Sequence, residues 1–277
     1  MKNIIDTRLD PLDDFIFYKV FGETGDEVQL LSFINAVLGK KGDDKFVSVE
    51  ILENTSYMAE IMGGKSCTLD VKAQLPTGAM VNIEVQLDDR YNMNRRSLFY
   101  LSREYNRILK FGDNYNKLPD LIAINIVNYN FPATKNFHSC FHLREDTEHD
   151  FVLSKALEIH YINMVKYRKQ GKGKLDDPLC RWLAWLNRNS SAEHLEEAIN
   201  MDAAIKAADE RMVNVTTMSA DEFDAYFRYK QAKWEQAHAI NEVKTMIARN
   251  ALSKGATLEF ISDITGLSRE DIKEILI

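Results

Sequence analysis

The sequence predicts an α/β protein: a mixed sheet flanked by helices, followed by an α-helical C-terminal extension. Three observations carry this. Two strictly alternating segments, Thr68 to Leu75 and Met80 to Leu87, flank a Pro-Thr-Gly turn and read as a β-hairpin. "LIAINIV", starting at Leu121, is almost continuously apolar, as a strand buried on both faces is. From about Ala192 the chain has no proline and one glycine, Gly255, before Gly266, which suits a run of helices. The order helix, strand, hairpin, helix, strand is that of a layered sheet with helices against it.

The elements follow in turn. Before Gly22, an aromatic run (Phe15, Phe17, Tyr18, Phe21) follows Asp10 and Asp13, either of which can cap a short helix. Glu27 to Leu38 has apolar residues at helical spacing and stops at Gly39. Phe46 to Leu52 alternates as a strand does. Met93 to Phe111 reads as a long helix rich in Arg and Tyr, closed by Gly112. Phe137 to Leu143 is a further strand, and from Leu153 the chain is expected to turn mainly helical. "KQGKGKLDDP", residues 169–178, is the one flexible-looking break, so a core is expected over 1–170 and a helical extension over 171–277. The end, "TLEFISDITGLSREDIKEIL", reads as two short helices around "TGLS", with Ser268 capping the second. It has a helix-turn-helix outline, but its second helix is acidic and suits DNA poorly, so packing or homo-oligomerisation is the expected use. The aromatics of the preceding helix, Phe223, Tyr226, Phe227, Tyr229 and Trp234, are expected in a core or interface.

Composition excludes several classes. With 277 residues, 45% hydrophobic, the chain can bury a sizeable core. Its net charge of −7 confines any nucleic-acid contact to a local basic patch. Cys67, Cys140 and Cys180 have no paired spacing, which fits a reducing cytoplasm rather than a disulfide framework. The N-terminus is acidic where a signal peptide is basic, and no apolar run nears the roughly 20 residues that span a bilayer. A cytoplasmic protein without membrane contact is expected.

The turn sets the register of the hairpin. If Pro76, Thr77 and Gly78 form a three-residue loop, Leu75 faces Ala79, Lys72 faces Asn82 and Asp70 faces Glu84. One face then collects Asp70, Lys72, Asn82, Glu84 and Gln86, while the other is apolar. Two carboxylates directly opposite repel. Two readings stand: a solvated face with Lys72 neutralising the pair diagonally, or a divalent cation held between the acids, with Gln86 orienting water or phosphate.

Other candidates are weaker. Arg96, Tyr100, Arg103 and Arg107 share one helical face that can hold phosphates or pair with acids such as Glu104. His138, Cys140 and His142 are zinc-ligand types, but no fourth ligand is near in sequence, and an extended strand spreads them too far for one ion, so a structural role is expected.

"LDPLDDFIFYKVFG", "LDVKAQLPTGAMVNIEVQ", "RRSLFYLSREYNRIL", "LPDLIAINIVNYNF", "LEIHYINMVK" and "IARNALSKGATLEFISDITGLSREDIKEIL" occur in this order. Together they resemble the Rpn group of recombination-promoting nucleases, also described as PD-(D/E)XK nuclease family transposases, over nearly the whole length. The resemblance implies a restriction-endonuclease-like core and Mg²⁺- or Mn²⁺-dependent DNA cleavage linked to recombination or transposition. It makes Asp70 and Glu84 the metal ligands and Gln86 the occupant of the position where the wider superfamily has lysine. A neutral amide can orient water or phosphate but cannot offset phosphate charge. Asp14 matches the acidic residue of a D-x-x-F-K-x-x-F-G motif, an additional active-site acid. Tyr18 stands where that motif has lysine, and Lys19, one step later, is expected at the nucleic acid with Arg96, Arg103 and Arg107. The rival expectation is a non-catalytic relative that binds DNA or protein through its helical tail.

Overall fold

The computed structural model of the protein describes residues 8–25, 27–52, 71–87, 93–108, 112–170, 174–215 and 219–275. Asp13 caps α1 (Asp14–Phe21), its side chain accepting from the Phe15 and Ile16 N–H groups. α2 (Val28–Val37) follows and ends before Gly39, whose φ is +64°. β1 (Glu50–Ile51), β2 (Val71–Gln74) and β3 (Met80–Gln86) come next. Then come α3 (Met93–Ile108), β4 (Leu121–Val127), β5 (His138–Arg144) and β6 (Val152–Asn163). The helices α4 (Met164–Gln170), α5 (Pro178–Leu186), α6 (Ala192–Met201) and α7 (Ala203–Val215) close the first compact unit.

Six strands form one mixed sheet in the order β1-β2-β3-β4-β6-β5. β3, β4 and β6 run parallel to one another, and the remaining neighbours pair antiparallel. All seven residues of β4 are buried, as its apolar run predicts for a central strand. On the helical side, Phe21 meets Phe33 and Trp182 at 5.5 Å and Trp185 at 6.1 Å between ring centroids. These rings tie α1 and α2 to α5, and α7 packs against α1 and α2. The helices between Pro178 and Val215 belong to the same compact unit as the sheet, and the helices from Ala220 onward belong to a second.

Two expectations change. The segment from Phe46 forms a strand only at Glu50 and Ile51, which face Gln74 and Ala73. Residues further back would oppose the hairpin turn, where no strand exists to pair with, and Val47 is exposed. Residues 152–163, expected to begin the helical part, form the longest strand of the sheet. The alternation of Leu157, Ile159 and Tyr161 is a strand pattern, and burial between β4 and β5 selects it.

The second unit holds α8 (Ala220–Ser253), α9 (Leu258–Thr265) and α10 (Arg269–Glu274) around Ala248, Ile261 and Ile272. Gly266 turns the chain with φ +68°, and Ser268 and Asp271 form a reciprocal capping box. In α8, Tyr229 is buried, Phe227 and Trp234 are exposed, and the Phe223 side chain lies outside what is described. No helix among the described residues is long and apolar enough to cross a membrane.

The turn behaves as the sequence predicts. The Leu75 N–H donates to the Ala79 carbonyl and the Gly78 N–H to the Leu75 carbonyl, each at 2.8 Å. Lys72 faces Asn82, and Val71 faces Ile83. Gly78 takes φ +86°, in open space, so a β-branched side chain there meets backbone strain alone. Gly78→Val is expected to cost about 1–2 kcal/mol, measured by urea unfolding of the full chain, because it forces a left-handed conformation on an L-residue.

Candidate active site

The register carries Glu84 to the middle of the sheet. Glu84 lies opposite Asn125 of β4, and Asn125 opposite Tyr161 of β6. These three share a face with Lys72 and Asn82. The sequence left that face as either solvated or metal-binding, and the structure encloses it. α3 lies over it and buries Met93, Ser97 and Leu101, a stripe spaced by four residues. Met93 packs with Val127 and Tyr161, Leu101 with Leu121 and Ala123. Glu84 is 1% exposed. A cavity of about 80 Å³ remains under α3, lined by Lys72, Asn82, Glu84, Ser97, Arg103 and Glu104 among others.

A carboxylate so placed is costly unless it is paired. Arg96, one helical turn along α3 from Met93, forms an ion pair with Glu84 Oε1. The Arg96 guanidinium also lies 5.6 Å from the Tyr100 ring centroid and donates to the Tyr100 hydroxyl at 3.3 Å. Burial raises the Glu84 pKa, and the charge and hydrogen bond of Arg96 oppose that rise. Glu84 Oε2 accepts no hydrogen bond among the described residues, and neither does the buried Asn82 Oδ1. Leaving a buried acceptor unmet costs about 1–3 kcal/mol. Two unmet oxygens on one cavity are a donor set that suits a hard divalent cation, so these residues fit the metal that the resemblance implies.

The walls are polar in an ordered way. Ser97 Oγ lies 2.9 Å from the Tyr161 hydroxyl and donates to the Met93 carbonyl at 3.0 Å. It also lies 3.2 Å from Asn125 Oδ1, while Asn125 Nδ2 donates to the His160 carbonyl at 3.1 Å. Lys72 Nζ is 2.5 Å from Glu104 Oε1, so it pairs with α3 and is not left to neutralise acids diagonally on its own strands.

The sequence-predicted residues fall into three groups. Glu84 and Arg103 line the cavity, and Gln86 lies one step along the same strand face. Arg96, expected at phosphate, forms an ion pair with Glu84. Arg107 is exposed, 3.6 Å from Glu104. Asp14 begins α1, and Lys19 pairs with Glu23 at 2.6 Å; neither lines the cavity. Asp70 lies outside the described residues. Sequence reasoning did not single out Ser97, Asn125 or Tyr161. Asn125 carried a signal, as the one polar side chain inside "LIAINIV".

The description "PD-(D/E)XK nuclease family transposase" belongs to a family whose model matches residues 11–243. The chain belongs to this family. The six-stranded mixed sheet flanked by helices is its restriction-endonuclease-like fold. The match spans the hairpin, α3 and the rest of the sheet, so the Glu84 cavity of this PD-(D/E)XK protein lies wholly inside it. No curated protein and no solved structure matches the chain.

Removing Arg96 leaves Glu84 buried without its cation. Arg96→Ala is expected to lose about 3 kcal/mol of stability in urea unfolding at pH 8 and less at pH 5. The sign follows from the raised pKa. In the variant nothing opposes burial, so the neutral acid is favoured in the fold; stability is present below the unfolded pKa and lost as pH rises through the folded one.

Proposed function

We propose that the protein is a divalent-metal-dependent DNA endonuclease that hydrolyses phosphodiesters during recombination or transposition of mobile elements. The observation that carries this is the buried Glu84 carboxylate, with Oε2 unmet beside Asn82 in the cavity under α3. Family membership supports a nuclease-type role in transposition.

In this reading Glu84 and Asp70 hold the ion, Mg²⁺ or Mn²⁺. Asp70 immediately precedes Val71, the first residue of the described β2–β3 pairing, and supplies the second carboxylate. When bound, the ion supplies charge neutralisation and an acidified water. The chain does the rest. Arg96 keeps the Glu84 side chain oriented and favours its ionised form. The Gln86 amide orients a water or a phosphate oxygen without adding charge. Arg103, exposed at the cavity mouth, meets the DNA backbone, and Arg107 extends that contact one turn further along α3. The reading gives no step to Asp14 or Lys19.

The test is nicking of plasmid DNA with Mg²⁺ or Mn²⁺. Asp70→Ala and Glu84→Gln are each expected to reduce nicking to background while circular dichroism shows the fold retained. Unchanged cleavage by Asp70→Ala would sink the assignment. Arg103→Ala is expected to weaken DNA binding and to lower the slope of log affinity against log salt by about 0.9, the loss of one phosphate contact.

A second reading, a non-catalytic DNA- or protein-binding relative, has the neutral Gln86 in its favour. DNA binding retained together with no Mg²⁺ or Mn²⁺ heat in calorimetry would select it.

A further inference from the structure

The other face of the sheet carries a different set of ligands. The register that places Glu84, Asn125 and Tyr161 on one face places Ile83, Ile124, His160 and Cys140 on the opposite one. Glu158, two residues before His160, shares that face. The β5–β6 pairing shifts between Phe141 and Leu143: Phe141 faces Ile159, whereas Leu143 faces Ser154. Ahead of that shift the regular pairs, Cys140 with His160 and Phe141 with Ile159, lead on to His142 beside Glu158 of β6. A ligand from the neighbouring strand thus joins two from β5, and the set does not need His138, Cys140 and His142 of one strand to span an ion.

We propose that Cys140, His142 and Glu158 bind one divalent cation of the zinc class, at a site separate from the Glu84 cavity. One ligand atom from each of the three lies within 4.8 Å of the other two. Cys140 Sγ is 4.0 Å from His142 Nε2, and that nitrogen is 3.3 Å from Glu158 Oε2. Zinc bonds of about 2.0–2.3 Å at tetrahedral angles set ligand atoms about 3.3–3.8 Å apart, so contraction of about an ångström or less closes the set.

The surroundings orient these ligands. His160 Nε2 is 2.5 Å from Glu158 Oε1, and His160 Nδ1 is 2.9 Å from His138 Nε2. With both rings neutral, His138 donates to His160 and His160 donates to Glu158. The chain of bonds holds the carboxylate with its other oxygen toward His142. Partners of this type, one step behind the ligands, fix ligand orientation in metal sites. A thiolate and an imidazole select zinc over Mg²⁺, so the ion serving the Glu84 cavity does not compete here. On binding, the Cys140 thiol proton leaves to solvent. Three protein ligands leave a fourth position for water, and His138, Cys140, Glu158 and His160 border a cleft of about 430 Å³ that Lys40 and Lys41 also line. β5 is an edge strand with β6 as its sheet neighbour, so the ion would fasten that edge to the sheet.

The experiment uses the full chain, dialysed against metal-free buffer and given zinc. One equivalent retained per chain is expected, with a rise in Tm that EDTA reverses. Cobalt in place of zinc is expected to show a thiolate-to-cobalt charge-transfer band that Cys140→Ser abolishes and Glu84→Gln keeps. His142→Ala, at a half-buried position, is expected to lose retention as well, which keeps the test valid if Cys140→Ser folds poorly. No zinc retained by the wild type, or retention unchanged in both Cys140→Ser and His142→Ala, overturns the proposal. So does retention that depends on Glu84 and not on Cys140.

Discussion

Glu84 is an ionisable group in the middle of a sheet, 1% exposed, and the architecture around it answers that fact. A carboxylate taken from water needs a cation and a hydrogen bond, and Arg96 supplies both from α3. Arg96 reaches Glu84 only if α3 lies across β3, and the Met93, Ser97 and Leu101 stripe fixes it there by packing on β4 and β6. Ser97 then meets Asn125 and the Tyr161 hydroxyl, so the same contact that covers the carboxylate also satisfies the polar groups beside it. Glu84 Oε2 and Asn82 Oδ1 are left over. A fold that only needed stability would bury a hydrophobe at this position, and the unmet oxygen of a buried carboxylate is an open acceptor on the cavity.

Strand parity separates the chemistry of this sheet into two kinds. Oxygen donors gather under α3, at Glu84 and Asn82, in a small cavity. Sulfur and imidazole gather on the opposite face, where β5 and β6 bulge against each other. Hard cations prefer the first set and borderline ones the second. Adjacent residues of a single strand, Tyr161 and His160, serve the two faces, and the Asn125 amide links them by donating to the His160 carbonyl. Both groups depend on the central parallel strands β4 and β6 keeping their alignment.

Much of the hairpin was legible because its information is local. Pro76, Thr77 and Gly78 specify the turn, the turn specifies the pairing, and the alternation of Val71, Ala73, Val81 and Ile83 permits one register. The caps at Asp13 and Ser268 and the buried strand β4 were legible for the same reason. Two readings went astray. The alternation from Phe46 had too little partner strand to pair with, and β6 was taken for the start of the helical part. In both cases the deciding partner is remote in the chain. Residues 152–163 become a strand because β4 and β5 lie on either side, and Glu50 and Ile51 pair only as far as β2 extends.

The sequence by itself determined which side chains share a strand face, where the hairpin turns, and that Glu84 and Gln86 point the same way. These follow from a two-residue period and from turn chemistry. Only the tertiary structure decided what covers that face. Burial under α3 is a property of packing between elements outside the hairpin, and it turns a face that reads as either solvated or metal-binding into a covered cavity with an unmet carboxylate oxygen. The convergence of Cys140, His142 and Glu158 is of the same kind: it depends on the pairing of β5 with β6, and no spacing within either strand encodes which residues of the other it meets.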